Sequence, residues 1–220
     1  MKIFCPGVFL SGVCLMLKAA KKFIKAKFLN DSHPFLTRLY WERRERKMLI
    51  EQERHSRASY AEIEAAISEH YQEIFGRALD WDNPQTYNEK INVSKVYMPT
   101  PLKTRLADKI AVREWISGKI GGDYLIPLLG VYDSFDEINF DALPSQFVIK
   151  CNHDSASVTL VKDKSKLSMK NLRRKYNFFM RRNFAWMGWE MHYRDIKPKI
   201  IIEKYMGDAI NDYKFTCIKI

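Results

Sequence analysis

Three short apolar runs in the second half of the chain constrain the fold more than any other feature. Two lie in "FVIKCNHDSASVTLVK", residues 147–162, and the third is "KIIIEKYM", residues 199–206. Each is too short for a buried helix and rich in β-branched residues, so each reads as a strand. The first two predict strands over 146–151 and 157–162, joined by a loop of small polar residues. "YLIPLLGVY" predicts a further buried strand with its proline near an end or edge. "DYKFTCIKI" predicts a last strand, and a basic helix is expected near 166–183 between the hairpin and "KIIIEKYM".

The first half reads differently. Residues 33–56 look helical and highly charged, as a solvated helix does. Ser59 with Glu62 has capping-box spacing, Ile63, Ala66, Ile67, Tyr71 and Ile74 follow a helical period, and Gly76 ends the helix. Thr86 with Glu89 forms a second box. Pro99 and Pro101 precede a helix predicted over roughly 102–118, which Gly121 and Gly122 terminate. The expected class is α+β, with an N-terminal arm over 1–30, a helical region over 31–122 and a mixed α/β domain over 123–220.

The net charge of +11 is uneven. Residues 1–60 hold 13 Lys/Arg against 5 Asp/Glu, whereas residues 61–220 hold 24 against 21. The bias belongs to the N-terminal arm and points to a local anionic surface, such as membrane lipid. Nucleic acid is not expected as a partner, because no nucleic-acid motif accompanies the charge. Ile3 to Leu17 is a largely apolar run without charge, followed by Lys18, Lys21, Lys22, Lys25 and Lys27. It is shorter than the ~20 residues of a membrane-spanning helix, and the lysines follow it where a secretory signal would place them first. A shallow membrane-surface anchor and a helix packed on the protein body are both compatible with it. The expected location is cytoplasmic, peripheral at the inner face of the membrane. Cys5, Cys14, Cys151 and Cys217 form neither a metal-ligand spacing nor a disulfide framework.

Lys150 closes an otherwise apolar strand, and a charge there must be paired or hydrated. It either snorkels from an edge strand or faces an anion. Lys162 has the same form at the end of "SVTLVK". The loop between them offers Asn152, His153, Ser155 and Ser157 as donors to a phosphate chain. Against that, it lacks glycine, and Asp154 places a negative charge where phosphates would sit. A lone His153 is more often a structural residue than a catalyst. Glu203, Lys204, Tyr205 and Met206 are either the end of a core strand or one side of a purine pocket. The basic helix carries seven Lys/Arg from Lys166 to Arg182 and no acid. Leu167, Leu172, Tyr176, Phe179 and Met180 supply its buried stripe. Its basic face is either solvated or meets an acidic polymer.

"YNEKI", "DKIAVREWI", "YLIPLLGVYDSFDEINFDALPSQFVIKCNH", "VKDKSKL", "RRNFAWMGWEMHYRDIKPKIIIEKYM" and "DYKF" occur in this order. In that order they resemble the TupA-like ATP-grasp family of bacterial cell-surface polysaccharide synthesis, whose members are often labelled glycosyltransferases. The likeness spans roughly residues 70–215. It implies that residues 123–220 form an incomplete ATP-grasp-like nucleotide-binding domain, the last strand running off the chain as in a C-terminally truncated relative. It also implies ATP and Mg²⁺ as cofactors and a glycan acceptor. Lys150 and Lys162 would contact phosphates, residues 152–157 would cover them, Glu203 to Met206 would form the adenine hinge, and Lys214 would lie on the next strand. The chemistry implied is activation of a carboxylate as an acyl phosphate, by positioning and charge neutralisation. Two other readings are a catalytically silent relative and a glycosyltransferase. Asp154 and Ala156 stand where the family loop reads glycine, and no metal-ligand set is assigned.

Overall fold

The computed structural model describes residues 34–208. The apolar run 3–17, the strand expected in "DYKFTCIKI" and Lys214 lie outside the described residues.

Among the described residues five helices come first: α1 (Pro34–Ser56), α2 (Tyr60–Phe75), α3 (Tyr87–Tyr97), α4 (Pro101–Ala107) and α5 (Ala111–Ile120). Both capping boxes form. The Ser59 and Thr86 side chains accept from the backbone N–H of Glu62 and Glu89, and those glutamates accept in return. Gly76 ends α2 at φ 68°, a left-handed conformation that suits glycine. The single helix predicted over 102–118 is two. Asp108 leaves the helical path at ψ 114°, and its carboxylate accepts from the Ile110 N–H, which restarts the chain as α5.

Glu89 is buried and accepts from the backbone N–H groups of Gln85 and Thr86 and from Arg77 at 2.9, 2.8 and 2.5 Å. The Thr86 backbone N–H, first among these, holds its pKa down to about 2 from an ordinary 4.5. The folded value lies below the unfolded one. Its stabilisation is therefore complete above about pH 4.5 and lost as pH falls towards 2. Urea melts should show wild-type stability falling over that window, and Glu89→Gln should flatten the fall. Equal acid slopes in both proteins would refute this role.

The sheet contains β1 (Leu128–Tyr132), β2 (Phe147–Cys151), β3 (Thr159–Val161) and β4 (Ile200–Lys204), in the order β1-β4-β2-β3. All its pairings are antiparallel. β4 comes last of the four in the chain and lies inside the sheet. Its Ile200, Ile201 and Ile202 are fully buried, so both faces of this strand are covered. The strand expected to be buried in "YLIPLLGVY" is instead a five-residue strand at the edge of the sheet that the described residues form, with Leu128, Leu129 and Val131 exposed. Pro127 stays outside it, as its missing N–H requires, and its carbonyl accepts from Lys204 N at 2.9 Å. At Gly130 the ring of Tyr132 lies where a Cβ would stand, so a larger residue there would have to displace that ring.

Helix α6 (Met169–Met180) covers one face of the sheet with Leu172, Tyr176, Phe178 and Phe179. They pack with Phe147, Ile149 and Ile202. Leu167 and Met180 are only partly buried, at the margin of this core. Met48 of α1 joins the same cluster, so contacts cross the boundary expected near residue 122. A second cluster joins Ile63, Ile67 and Tyr71 of α2 to Val96 and Met191, beside the one-turn helix α7 (Ala185–Gly188).

Candidate functional site

Alternation along the strands sends Phe147, Ile149 and Cys151 into the core and Val148 and Lys150 to the other face. The register sets Val148 opposite Glu203 and Leu160, and Lys150 opposite Ile201. Lys150 and Glu203 are thus diagonal neighbours on the face away from α6, within reach of a long side chain. Lys150 Nζ lies 2.6 Å from Glu203 Oε2. The other carboxylate oxygen lies 3.2 Å from Arg113 Nη1 of α5. A second guanidinium nitrogen of Arg113 donates to the Ile126 carbonyl at 2.6 Å, which fixes the fork in place. Two cations share one carboxylate that is 6% exposed, leaving a net positive charge on the sheet face away from α6. Leu128 and Leu160 on that face are exposed at 38% and 56%.

Lys162 is not beside Lys150. It lies two residues beyond Leu160, while Lys150 lies two residues beyond Val148 on the oppositely directed strand. Four residues of strand, about 13 Å, separate the two positions. Lys162 instead pairs with Asp208 at 2.5 Å, and Asp208 accepts from Tyr205 Oη at 2.5 Å. Asp208 is the first cause that holds the Lys162 pKa up, through this hydrogen bond. Lys204 and Met206 are exposed, with Tyr205 half-buried between them. Lys162, Tyr205 and Asp208 form one end of the face, and Lys150, Arg113 and Glu203 the other.

The loop after Lys150 is a buried tie. Asn152 Nδ2 donates to Asp108 Oδ1 and to the Lys197 carbonyl, at 2.9 and 3.0 Å, and its Oδ1 accepts from Lys199 N at 2.7 Å. His153 Nε2 faces the carbonyls of Phe179 and Arg182 at 3.1 and 3.0 Å. Both partners only accept, so Nε2 carries the proton. Burial, ahead of the opposing Asp154 charge, lowers the His153 pKa and keeps the ring neutral. Ser157 Oγ donates to Asp154 at 2.5 Å and accepts from Cys151 N at 2.7 Å. Asn152, His153 and Ser157, expected as phosphate donors, thus spend their side-chain polar atoms inside the protein. Ser155 and Ala156 form the exposed tip. Asp154 is fully buried and meets Arg182 at 3.0 Å, so its charge is neutralised rather than turned towards a ligand. Lys109 of the α4–α5 turn donates to the Asn152 carbonyl at 3.2 Å and to the Asp154 carbonyl. Burial, the largest cause, lowers its pKa against the pull of Asp154. Burial pushes the Cys151 thiol up to about 12, which removes it as a thiolate nucleophile.

Arg113, Lys109, Asp108 and Arg182 enter the site through packing, outside the strands that the sequence singles out. Arg113 left a trace: it stands in the first turn of α5, where a cation opposes the helix dipole. Such a cost points to a partner elsewhere. Among the described residues no three metal-ligating side chains converge, so none is assigned to Mg²⁺.

No curated protein and no solved structure matches the chain. Residues 89–220, more than half of it, match the family model described as TupA-like ATPgrasp. The sheet, its buried loop and its doubly paired glutamate all fall inside that match, and the chain belongs to the TupA-like ATPgrasp family.

Proposed function

We propose that the sheet face bearing Lys150 and Glu203 binds ATP, with the polyphosphate against Lys150 and Arg113 and the purine towards Tyr205 and Met206. The observation that carries this is the buried Glu203 carboxylate between two part-exposed cations, 2.6 and 3.2 Å away. One carboxylate cannot neutralise two cations, and the excess charge suits an anion. The distance of about 13 Å between the two polar ends accommodates an extended nucleotide, with Val148 and Leu160 between them as an apolar floor. Lys162 then serves the purine or ribose end. Lys204 supplies backbone to the hinge, and the exposed Ser155 tip is the part of the loop free to close over phosphates. Lys214 lies outside the described residues. Mg²⁺ would supply charge neutralisation on the phosphates.

The reaction implied by the family likeness is ligase-type. A carboxylate oxygen attacks the γ-phosphorus, ADP leaves, and an amine or similar nucleophile displaces phosphate from the acyl carbon. The setting is cell-surface polysaccharide synthesis.

Saturating Mg-ATP should raise the melting temperature. At a hundredfold excess over Kd the stabilisation is about 2.7 kcal/mol, or about 5–10 °C for a chain of this size. Lys150→Ala, measured against its own ligand-free baseline, should lose that rise. A rise with a nucleotide sugar and none with ATP would replace this reading with sugar transfer. Binding of ATP without release of ADP for any carboxylate and acceptor would leave a silent relative.

A further inference from the structure

The outer side of α6 is a cationic stripe. Lys170, Arg173, Asn177 and Arg181 are exposed and Arg174 is half-buried. They recur at helical spacing on the side opposite the buried residues. The helix itself holds four Lys/Arg and no acidic residue. Arg173 pairs with Asp136 and Arg181 with Glu45 of α1, at 2.9 and 2.5 Å. Lys170 and Arg174 have no ion-pair partner among the described residues.

Arg174 and Arg181 line a cleft of about 640 Å³ between α6 and α1 that also takes in Arg38. The cleft's carboxylates are already engaged, Glu42 by Arg38, Glu45 by Arg181 and Asp133 by Lys199. Phe35, almost one turn before Arg38, is 72% exposed. Helix α1 begins at Pro34, so the chain of residues 1–33 joins the described fold beside this cleft. That sequence holds six lysines against one acidic residue and includes the apolar run 3–17.

We propose that the α6 stripe and the start of α1 form a docking surface for an anionic phospholipid bilayer. The cations meet lipid phosphates, and Phe35 enters the interfacial region. An acidic polymer would be held by the cations alone and gives Phe35 no role. α6 covers the sheet face opposite Lys150 and Glu203. Docking therefore turns the Lys150 and Glu203 face away from the lipid. The proposal does not rest on the nucleotide reading, and either can fail alone.

The test is co-sedimentation of the full chain with phosphatidylcholine vesicles, with and without phosphatidylglycerol. Binding should require phosphatidylglycerol and weaken as salt rises. Lys170→Gln with Arg174→Gln should weaken it by about fivefold for each cation removed, at an unchanged melting temperature. Phe35→Ser should weaken it as well. Replacing Lys18, Lys21, Lys22, Lys25 and Lys27 by Gln should weaken binding further while leaving the α6 effect visible. Equal binding to pure phosphatidylcholine would overturn the proposal. So would undiminished binding of the α6 double variant, or retention on hyaluronate without vesicle binding.

Discussion

Asp154→Ala should destabilise the protein by about 3–5 kcal/mol, the cost of stripping one partner from a buried ion pair. The carboxylate is fully buried, and its partner Arg182 is 8% exposed. Removing it strands the guanidinium, whose Nε already lacks a hydrogen-bond partner. It also removes the acceptor for Ser157, whose hydroxyl in turn holds the Cys151 N–H at the end of β2. The loss should appear in urea denaturation as a lower midpoint with an unchanged m-value. Asp154→Asn should recover part of it, because the amide oxygen can still accept from Ser157. A midpoint within error of wild type would mean that solvent reaches this pair. Asp154→Gly should be as costly as alanine while Arg182 is present. The acid and the arginine thus act as one unit.

Glu203→Ala should cost about 3 kcal/mol, the lower end of the range for a broken buried pair. The lower end applies because Lys150 and Arg113 remain 20% and 17% exposed and can be hydrated in part. The substitution leaves two cations facing each other across a vacated carboxylate. Inorganic phosphate should therefore restore thermal stability more than sodium chloride of equal ionic strength. Phosphate can occupy the gap, while chloride acts mainly through screening. Differential scanning of the variant in the two salts is the measurement. Identical recovery in both would show that the cations do not converge on a common anion position. Glu203→Gln should fall between wild type and alanine, since an amide keeps the shape but loses the charge.

Much of this protein's local structure is written in short sequence intervals. Ser59 with Glu62, Thr86 with Glu89 and Gly76 each fix a helix end through groups a few residues apart. The buried stripe of α6 follows from a 3.6-residue period, and the strands from short β-branched runs. Lys150 could be singled out as a cation on an apolar strand, and the ordered family segments supplied the reading of the site.

Which charges meet was decided by packing. Arg113 reaches Glu203 across 90 residues, and Asn152 reaches Asp108 across 44. In sequence Asp154 is a repulsive charge in a phosphate loop, because its partner Arg182 lies 28 residues on, out of reach of any local pattern. The separation of Lys150 from Lys162 follows from the antiparallel register, and the interior place of β4 from the sheet order. Hydrogen-bond caps and apolar periods act over one or two turns of chain, so the order of residues determines them directly. An ion pair between distant segments exists only after burial has set those segments side by side. Its partner is therefore a property of the folded arrangement and not of any stretch of sequence.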